Sequence, residues 1–390
     1  MLVAQIHEIL NDITDEILGE SALVNEDLTN IVQVGEQVFN SSSIDNYVKS
    51  LINHIGRVVF VNRPYNSSAP SVLMDSWEFG SVLEKITSAL PEATENESWD
   101  LVDGQSYDPN VFYKPDVSAK FYNGLTTFEI PMSFTERQVK ESFSDAAQLN
   151  AFMSMIENSI YKSMTVKTDS LIMRTINNMI GETLFDEYAT GDYGSKSGIR
   201  AVNLLYLYNQ KYPTSTITAS QAMTSPDFIR FAAYTMGVYQ YRMSKISNLF
   251  NIGGTDKFTT SDFLHFVMLS DFAMAADVFL QSDTFHDEYT RLPNAERVPY
   301  WQGSGTGYDF DSITGINIKT SANHNITATG ILAVMFDRDA LGVNNYDRRV
   351  TTYYNPKAEF FNNWYKQDAR YFNDSNENFV VFFIADDDGE

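Results

Sequence analysis

Leu2, Ile6, Ile9, Leu10, Ile13 and Ile17 recur at three- and four-residue steps, and NDITDE supplies the polar positions among them. That spacing predicts a short amphipathic helix with an acidic back. Val48, Leu51, Ile52 and Ile55 repeat the pattern, with Ser42 or Ser43 placed as a cap and Gly56 as a stop. A narrow apolar stripe of this kind suits an arm that lies on another surface. From residue 57 the rhythm changes. RVVFVNR reads as a strand, the turn-rich runs NSSAP, LPEATENESWD and DGQSYDPN follow, and strand character returns in AKFYNGLTTFEI. This β excursion is too weakly apolar to hold a core of its own, and an unsupported hairpin is marginal in water.

The strongest helical pattern comes next. Ser133 and Glu136 have capping-box spacing. Leu149, Phe152, Met153, Ile156, Ile160 and Met164 then form one stripe, which Ile172, Ile176 and Ile180 carry to about Leu184. A helix of about 40 residues would span roughly 60 Å, with a place for a kink near Lys167–Ser170. Ser225 and Pro226 open another helix, expected to reach about Leu249, with Ile229, Ala233, Met236, Tyr239 and Met243 on one face. A further helix is expected from near Thr260 through DFLHFVMLSDFAMAADVFL. From Gly330 onward ILAVMF, RVTTYY and NFVVFFIA read as strands, while AEFFNNWYKQDARYF fits either a helix or a strand. The class expected from this order is α+β.

Charge narrows the possible partners. The 390 residues carry a net charge of −24, and the first Lys or Arg is Lys49. A basic stripe for gripping nucleic acid is missing, and so is the basic start of a secretory or mitochondrial address. No apolar run approaches the 18 or so residues of a membrane span. With no cysteine, thiolate metal sites, disulfides and cysteine nucleophiles are excluded. The 27 Phe and 22 Tyr favour strands and large contact surfaces.

The candidate chemistry is sparse. FDRDALG places Asp337, Asp339 and Gly342 at positions one, three and six of an EF-hand-like calcium loop. Position five is Leu341 and position twelve is Arg348, where oxygen ligands are required, and the flanks read as strands. The expectation is a turn supported by Asp side chains. GSGTG at 303–307 lacks the Lys of a phosphate loop and opens no helix, so it reads as a flexible turn. The histidines His7, His54, His265, His286 and His324 include no i, i+4 pair. In SDTFHDEY, His286 stands among Asp283, Asp287 and Glu288, a cluster that would serve a metal-assisted hydrolase or, more plainly, a His held by a local carboxylate. No catalytic, cofactor-binding or metal site is assigned, and the chain is read as not an enzyme. Parts that cannot bury their apolar faces within one chain point instead to an assembly subunit.

The order of these parts resembles the major capsid proteins of tailed bacteriophages, which share the Hong Kong 97 fold. TTFEIPMSFTERQVKESFSDAAQLNAFMSMIENSIYKSM looks like the end of that family's extended loop running into its spine helix. GILAVMFDRDALGVNNYDRRVTTYYNPKAEFFNNWYKQDARYF with NFVVFFIA looks like its closing strands, and INHIGRVVF like the start of the loop. The resemblance covers nearly the whole chain and points toward small podophages of the phi-29 type. Capsid chains of that type can carry an additional C-terminal immunoglobulin-like domain, which is not expected within these 390 residues.

The resemblance implies an N-terminal arm at 1–56 and an extended β loop at 57–133. It implies a peripheral domain from 134–194 and 331–390, and an axial domain at 195–330. It implies a subunit that assembles with itself as hexamers and pentamers into an icosahedral or prolate shell. The shell would enclose double-stranded DNA without sequence-specific contacts, work with scaffolding and portal proteins, and need no membrane. Assembly would take place in the bacterial host cytoplasm and end in the virion capsid. Asp337, Arg338 and Asp339 are then expected to form a turn at a domain edge, making ion pairs within or between subunits. Portal and tail tube subunits are the alternative structural roles. A portal needs a second long helix near the C-terminus, and none is predicted.

Overall fold

The computed structural model describes residues 7, 10–15, 24–25, 29–40, 50, 72–73, 83–88, 102–104, 110, 112, 114, 117–142, 144–189, 191–281, 295–301 and 314–387. The second arm segment at 42–56 except residue 50, the strand expected at 57–63, GSGTG and all of SDTFHDEY lie outside them.

A long helix organises the chain. After the arm helix α1 (Ile31–Asn40), strands β1 (Leu83–Ser88) and β2 (Val117–Tyr122) pair as an antiparallel ribbon, and β3 (Leu125–Thr135) leads into α2 (Glu136–Ser142). The capping box falls two residues beyond the expected one. The Thr135 N–H donates to Gln138 Oε1 at 3.0 Å and the Gln138 N–H to Thr135 Oγ1 at 3.2 Å, whereas Ser133 stays in β3 and donates to Asn362 Oδ1. The spine helix α3 (Ala146–Tyr188) then runs for 43 residues. It continues without a break through 167–170, and Thr168, Thr175 and Thr183 donate their hydroxyls to carbonyls four residues back.

The two halves of α3 serve different cores. Leu149, Met153, Ile156 and Ile160 pack with Phe134, Phe361 and Tyr365, and Leu10, Ile13, Ile31 and Val34 of the arm close over the same cluster. The arm's stripe therefore rests on this chain's own helix. Ile172, Ile176, Ile180 and Leu184 belong to a second cluster under a five-stranded sheet.

That sheet is built from β4 (Ala201–Asn203), β5 (Leu264–Leu269), β6 (Glu296–Val298), β9 (Ile331–Asp337) and β12 (Phe379–Phe383), in the order β4-β12-β9-β5-β6. Between β4 and β5 lie α4 (Leu204–Lys211) and α5 (Pro226–Met243). The helix α6 (Ser270–Gln281) follows β5, and the hairpin β7 (Ile316–Lys319) and β8 (Asn325–Ala328) precedes β9. Strands covered on both faces read as continuous apolar runs, and β9 and β12 are buried along their whole length. Val334, Phe336, Val381 and Phe383 face the spine helix. Leu332, Met335, Val380 and Phe382 face α5 and α6, with Phe228, Met236 and Phe272. The result is a helix–sheet–helix layering.

Two expected helices are shorter than their patterns. Residues 264–269 form β5, because Phe266 and Met268 join one layer while Val267 and Leu269 join the other. Only the second half of that run is helical. Ser225 caps α5, accepting from the Phe228 N–H. The helix ends at Met243, whose carbonyl accepts the Thr259 N–H at 2.8 Å, leaving Ile246 and Leu249 exposed.

The remaining sheet joins β10 (Leu341–Asn355), β11 (Phe360–Asn373) and β3, all antiparallel, with β11 central. AEFFNNWYKQDARYF is thus strand from Phe360. Phe361, Asn363, Tyr365, Gln367 and Ala369 are buried while their neighbours up to Lys366 are half-buried, the period-two signature of a sheet laid on a helix.

Candidate assembly surface

FDRDALG is a braced turn. Asp337 ends β9, and its buried carboxylate accepts the Thr259 hydroxyl at 2.6 Å and the Asp339 N–H at 2.9 Å. Its carbonyl accepts the Ala340 N–H at 2.9 Å. Burial pushes the Asp337 carboxyl up, and the two donors only partly offset this. Arg338 and Asp339 are exposed. The Arg338 guanidinium lies 5.6 Å from the centre of the Phe263 ring, and the Asp339 carbonyl accepts from Lys85 Nζ at 3.2 Å. Among the described residues no three His, Asp or Glu side chains form a metal cluster. Of the three expected contact residues, Asp337 is spent inside the subunit and the other two face outward.

Beside this turn lies an ion-pair cluster that the sequence did not reveal. In the turn between β11 and β12, Asp374 and Glu377 are nearly inaccessible. Lys85 of β1 meets Asp374 at 2.9 Å and Glu377 at 2.6 Å. Lys120 of β2 meets Asp374 at 3.1 Å, and Lys257 meets Glu377 at 2.8 Å. Burial alone would raise the Asp374 carboxyl, but Lys85, the Asn376 N–H and Lys120 outweigh it and hold it below the usual range. Burial would lower Lys85, and Glu377 and Asp374 turn this into a net rise. Lys85 and Lys120 are direct cross-strand partners. Like charges so placed repel, so the two carboxylates are what make this register favourable. Lys120 and Asp374 are 254 residues apart, and no local spacing announces such a pair.

The cluster gives the ribbon two distinct faces. Lys85, Lys120 and Tyr122 point at the subunit. The other face presents Ile86, Val117 and Phe121, exposed by 65%, 56% and 63%. A second exposed apolar area lies on the outer helices, with Tyr234 and Tyr241 on α5 and Met274 and Val278 on α6. Tyr212, Phe231 and Tyr234 surround Lys211 Nζ at 5.3–5.7 Å from their ring centres.

The described histidines have structural partners. His7 meets Asn11 at 2.9 Å and His265 stacks on Phe336. His324 stacks on Phe185 and lies 3.2 Å from Glu182. No helix among the described residues is long and apolar enough to cross a membrane.

A ribbon, a long helix and outward apolar faces are the features of a subunit that packs against other chains. The chain matches the Phi29-like phage major capsid protein family over residues 8–383 and belongs to it. It is a shell-forming major capsid protein. No curated protein matches the chain. Among solved structures it is similar to the capsid of Staphylococcus phage Andhra, at 10% identity over 81% of this chain and 83% of that one, with a TM-score of 0.48. The mature capsid of bacteriophage PhiM1 is similar at 10% identity over 83% and 88%, with a TM-score of 0.44. Microbacterium phage Oxtober96 is similar at 10% identity over 83% and 93%, also with a TM-score of 0.44.

Proposed function

We propose that this subunit has the Hong Kong 97 arrangement and assembles as hexamers and pentamers into a closed shell around double-stranded DNA. The supporting observation is the two-faced ribbon, whose inner face is fixed to its own subunit by ion pairs while its outer face leaves Ile86, Val117 and Phe121 in water. Burial of each such side chain against a neighbour contributes about 1.5–3 kcal/mol. In this reading residues 1–56 are an arm, 57–133 the extended loop, 134–194 and 331–390 the peripheral domain and 195–330 the axial domain. The five-stranded sheet draws strands from both of the last two. The chain acts without catalysis, with scaffolding and portal proteins as partners in the host cytoplasm and the virion capsid as its destination. Exposed Arg338 and Asp339 are candidate contacts to a neighbour. The test is Ile86→Ser with Phe121→Ser. The variant is expected to fold with a stability change within about 0.5 kcal/mol and to fail to form shells in electron microscopy. Normal shells from it would remove the ribbon from the interface, and normal shells from Arg338→Ala with Asp339→Ala would remove that turn.

A further inference from the structure

A cavity of about 540 Å³ opens between α3, the β7–β8 hairpin and the end of β11, and it holds two cations that the fold does not neutralise. Its walls are firmly tied. The Ser321 N–H donates to Asn178 Oδ1 at 2.6 Å, the Ala322 N–H to Glu182 Oε1 at 3.2 Å, and Asn373 Nδ2 to the Thr175 carbonyl at 3.0 Å. Helix and hairpin approach so closely that a Cβ on Gly181 would stand 2.9 Å from Thr320. Arg174 and Lys319 line this space and are exposed.

Several other bases pair with acids. Lys85, Lys120, Arg200, Lys257, Arg297, Arg349 and Lys366 all have carboxylate partners. Arg174 and Lys319 have none among the described residues; Lys211 and Arg338 have none either and lie against aromatic rings, whereas Arg174 and Lys319 share one cavity, in a chain with 51 acidic and 27 basic residues. Two cations without acid partners beside one preformed cavity, with the Asn178 side-chain amide N–H on its wall as a further donor, make a receptor for carboxylates.

We propose that this cavity takes an acidic segment of a second copy of the chain, a subunit-to-subunit contact that rests on the shell reading above. Charge selects that occupant. Every copy carries the same excess of acids, so a neighbour in a shell always offers them. A nucleic acid backbone would need a basic stripe, and here two cations stand in a chain of net charge −24.

The test is zero-length carbodiimide coupling of shells assembled without DNA from mixed isotope-labelled and unlabelled chains. The reaction joins Lys319 Nζ to a carboxyl carbon with loss of water, and mass spectrometry reads whether the partners carry different labels. The expected result is a Lys319 link between copies, absent in unassembled subunits. Coupling of other lysines without Lys319, or Lys319 links only within one chain, overturns the proposal. Arg174→Gln with Lys319→Gln, and the stronger Arg174→Glu with Lys319→Glu, should keep the melting temperature and lose closed shells. Folded variants that form DNA-free shells like the wild type overturn it, and a defect confined to DNA-filled particles would assign the cavity to nucleic acid instead. A wild-type chain that forms no shell would defeat the shell reading first, and this inference with it.

Discussion

Asp374 shows how one side chain can fix the position of a whole ribbon. It is 1% exposed and holds Lys85 and Lys120 from opposite strands. Asp374→Ala leaves both lysines without it and is expected to destabilise the subunit by about 2 kcal/mol, because Lys85 can swing partly into water. Chemical denaturation of the isolated subunit measures this, and an unchanged midpoint would show that the cluster contributes nothing. The pH window follows from the shifts. The depressed Asp374 carboxyl gives stability that is present above its unfolded value of about 3.9 and is lost as pH falls through its lower folded value. The raised Lys85 gives stability present below about 10.4 and lost as pH rises through its higher folded value. Wild-type stability minus that of Asp374→Ala should therefore be flat between these limits and fall at both ends. Gly330 is another residue whose identity is forced. Its φ is +75° and a Cβ would stand 2.1 Å from the Ile384 carbonyl oxygen, where the Ile384 N–H closes back on Gly330.

Among the elements, the spine helix was the most legible because its apolar period persists over ten turns. Its role was less legible. The first half buries one stripe, while from Leu171 to Leu184 most positions are buried, since a sheet, a hairpin and strand β10 surround it. Ile156 and Ile176 are both fully buried, in different clusters. Each Ile→Ala change is expected to cost about 2–5 kcal/mol. The loss at Ile156 should loosen the arm, and the loss at Ile176 should not. Hydrogen exchange at residues 10–15 distinguishes them, and equal loosening by both variants would mean that the two cores act as one. Strands β9 and β12 were plain from their unbroken apolar runs. Strand β5 was misread because LHFVML joins directly to a true helix, and a short apolar run has the same composition in either state. The cap at Thr135 was missed because Ser133 and Glu136 matched the same spacing. The Asp337 turn was readable from its residues, but the cluster at Asp374 was not, since its partners come from three distant segments.

At the scale of the whole molecule, charge and exposed apolar surface act in opposite directions. Copies of charge −24 repel, and at physiological salt a Debye length of about 8 Å confines this to close contacts. Assembly should therefore weaken as ionic strength falls, which light scattering across a salt series would record. Shells that form equally well in very low salt would show that repulsion plays no part. In the proposed DNA-filled shell, the acidic excess also suits a container, since a wall that gripped packaged DNA would hinder its exit. The most direct measurement of the central claim is an electron-microscopic reconstruction of the particles this chain forms. The account predicts closed shells of hexamers and pentamers in which Ile86, Val117 and Phe121 are covered by an adjacent copy. A monodisperse monomer, or shells in which that ribbon face stays in solvent, would contradict it.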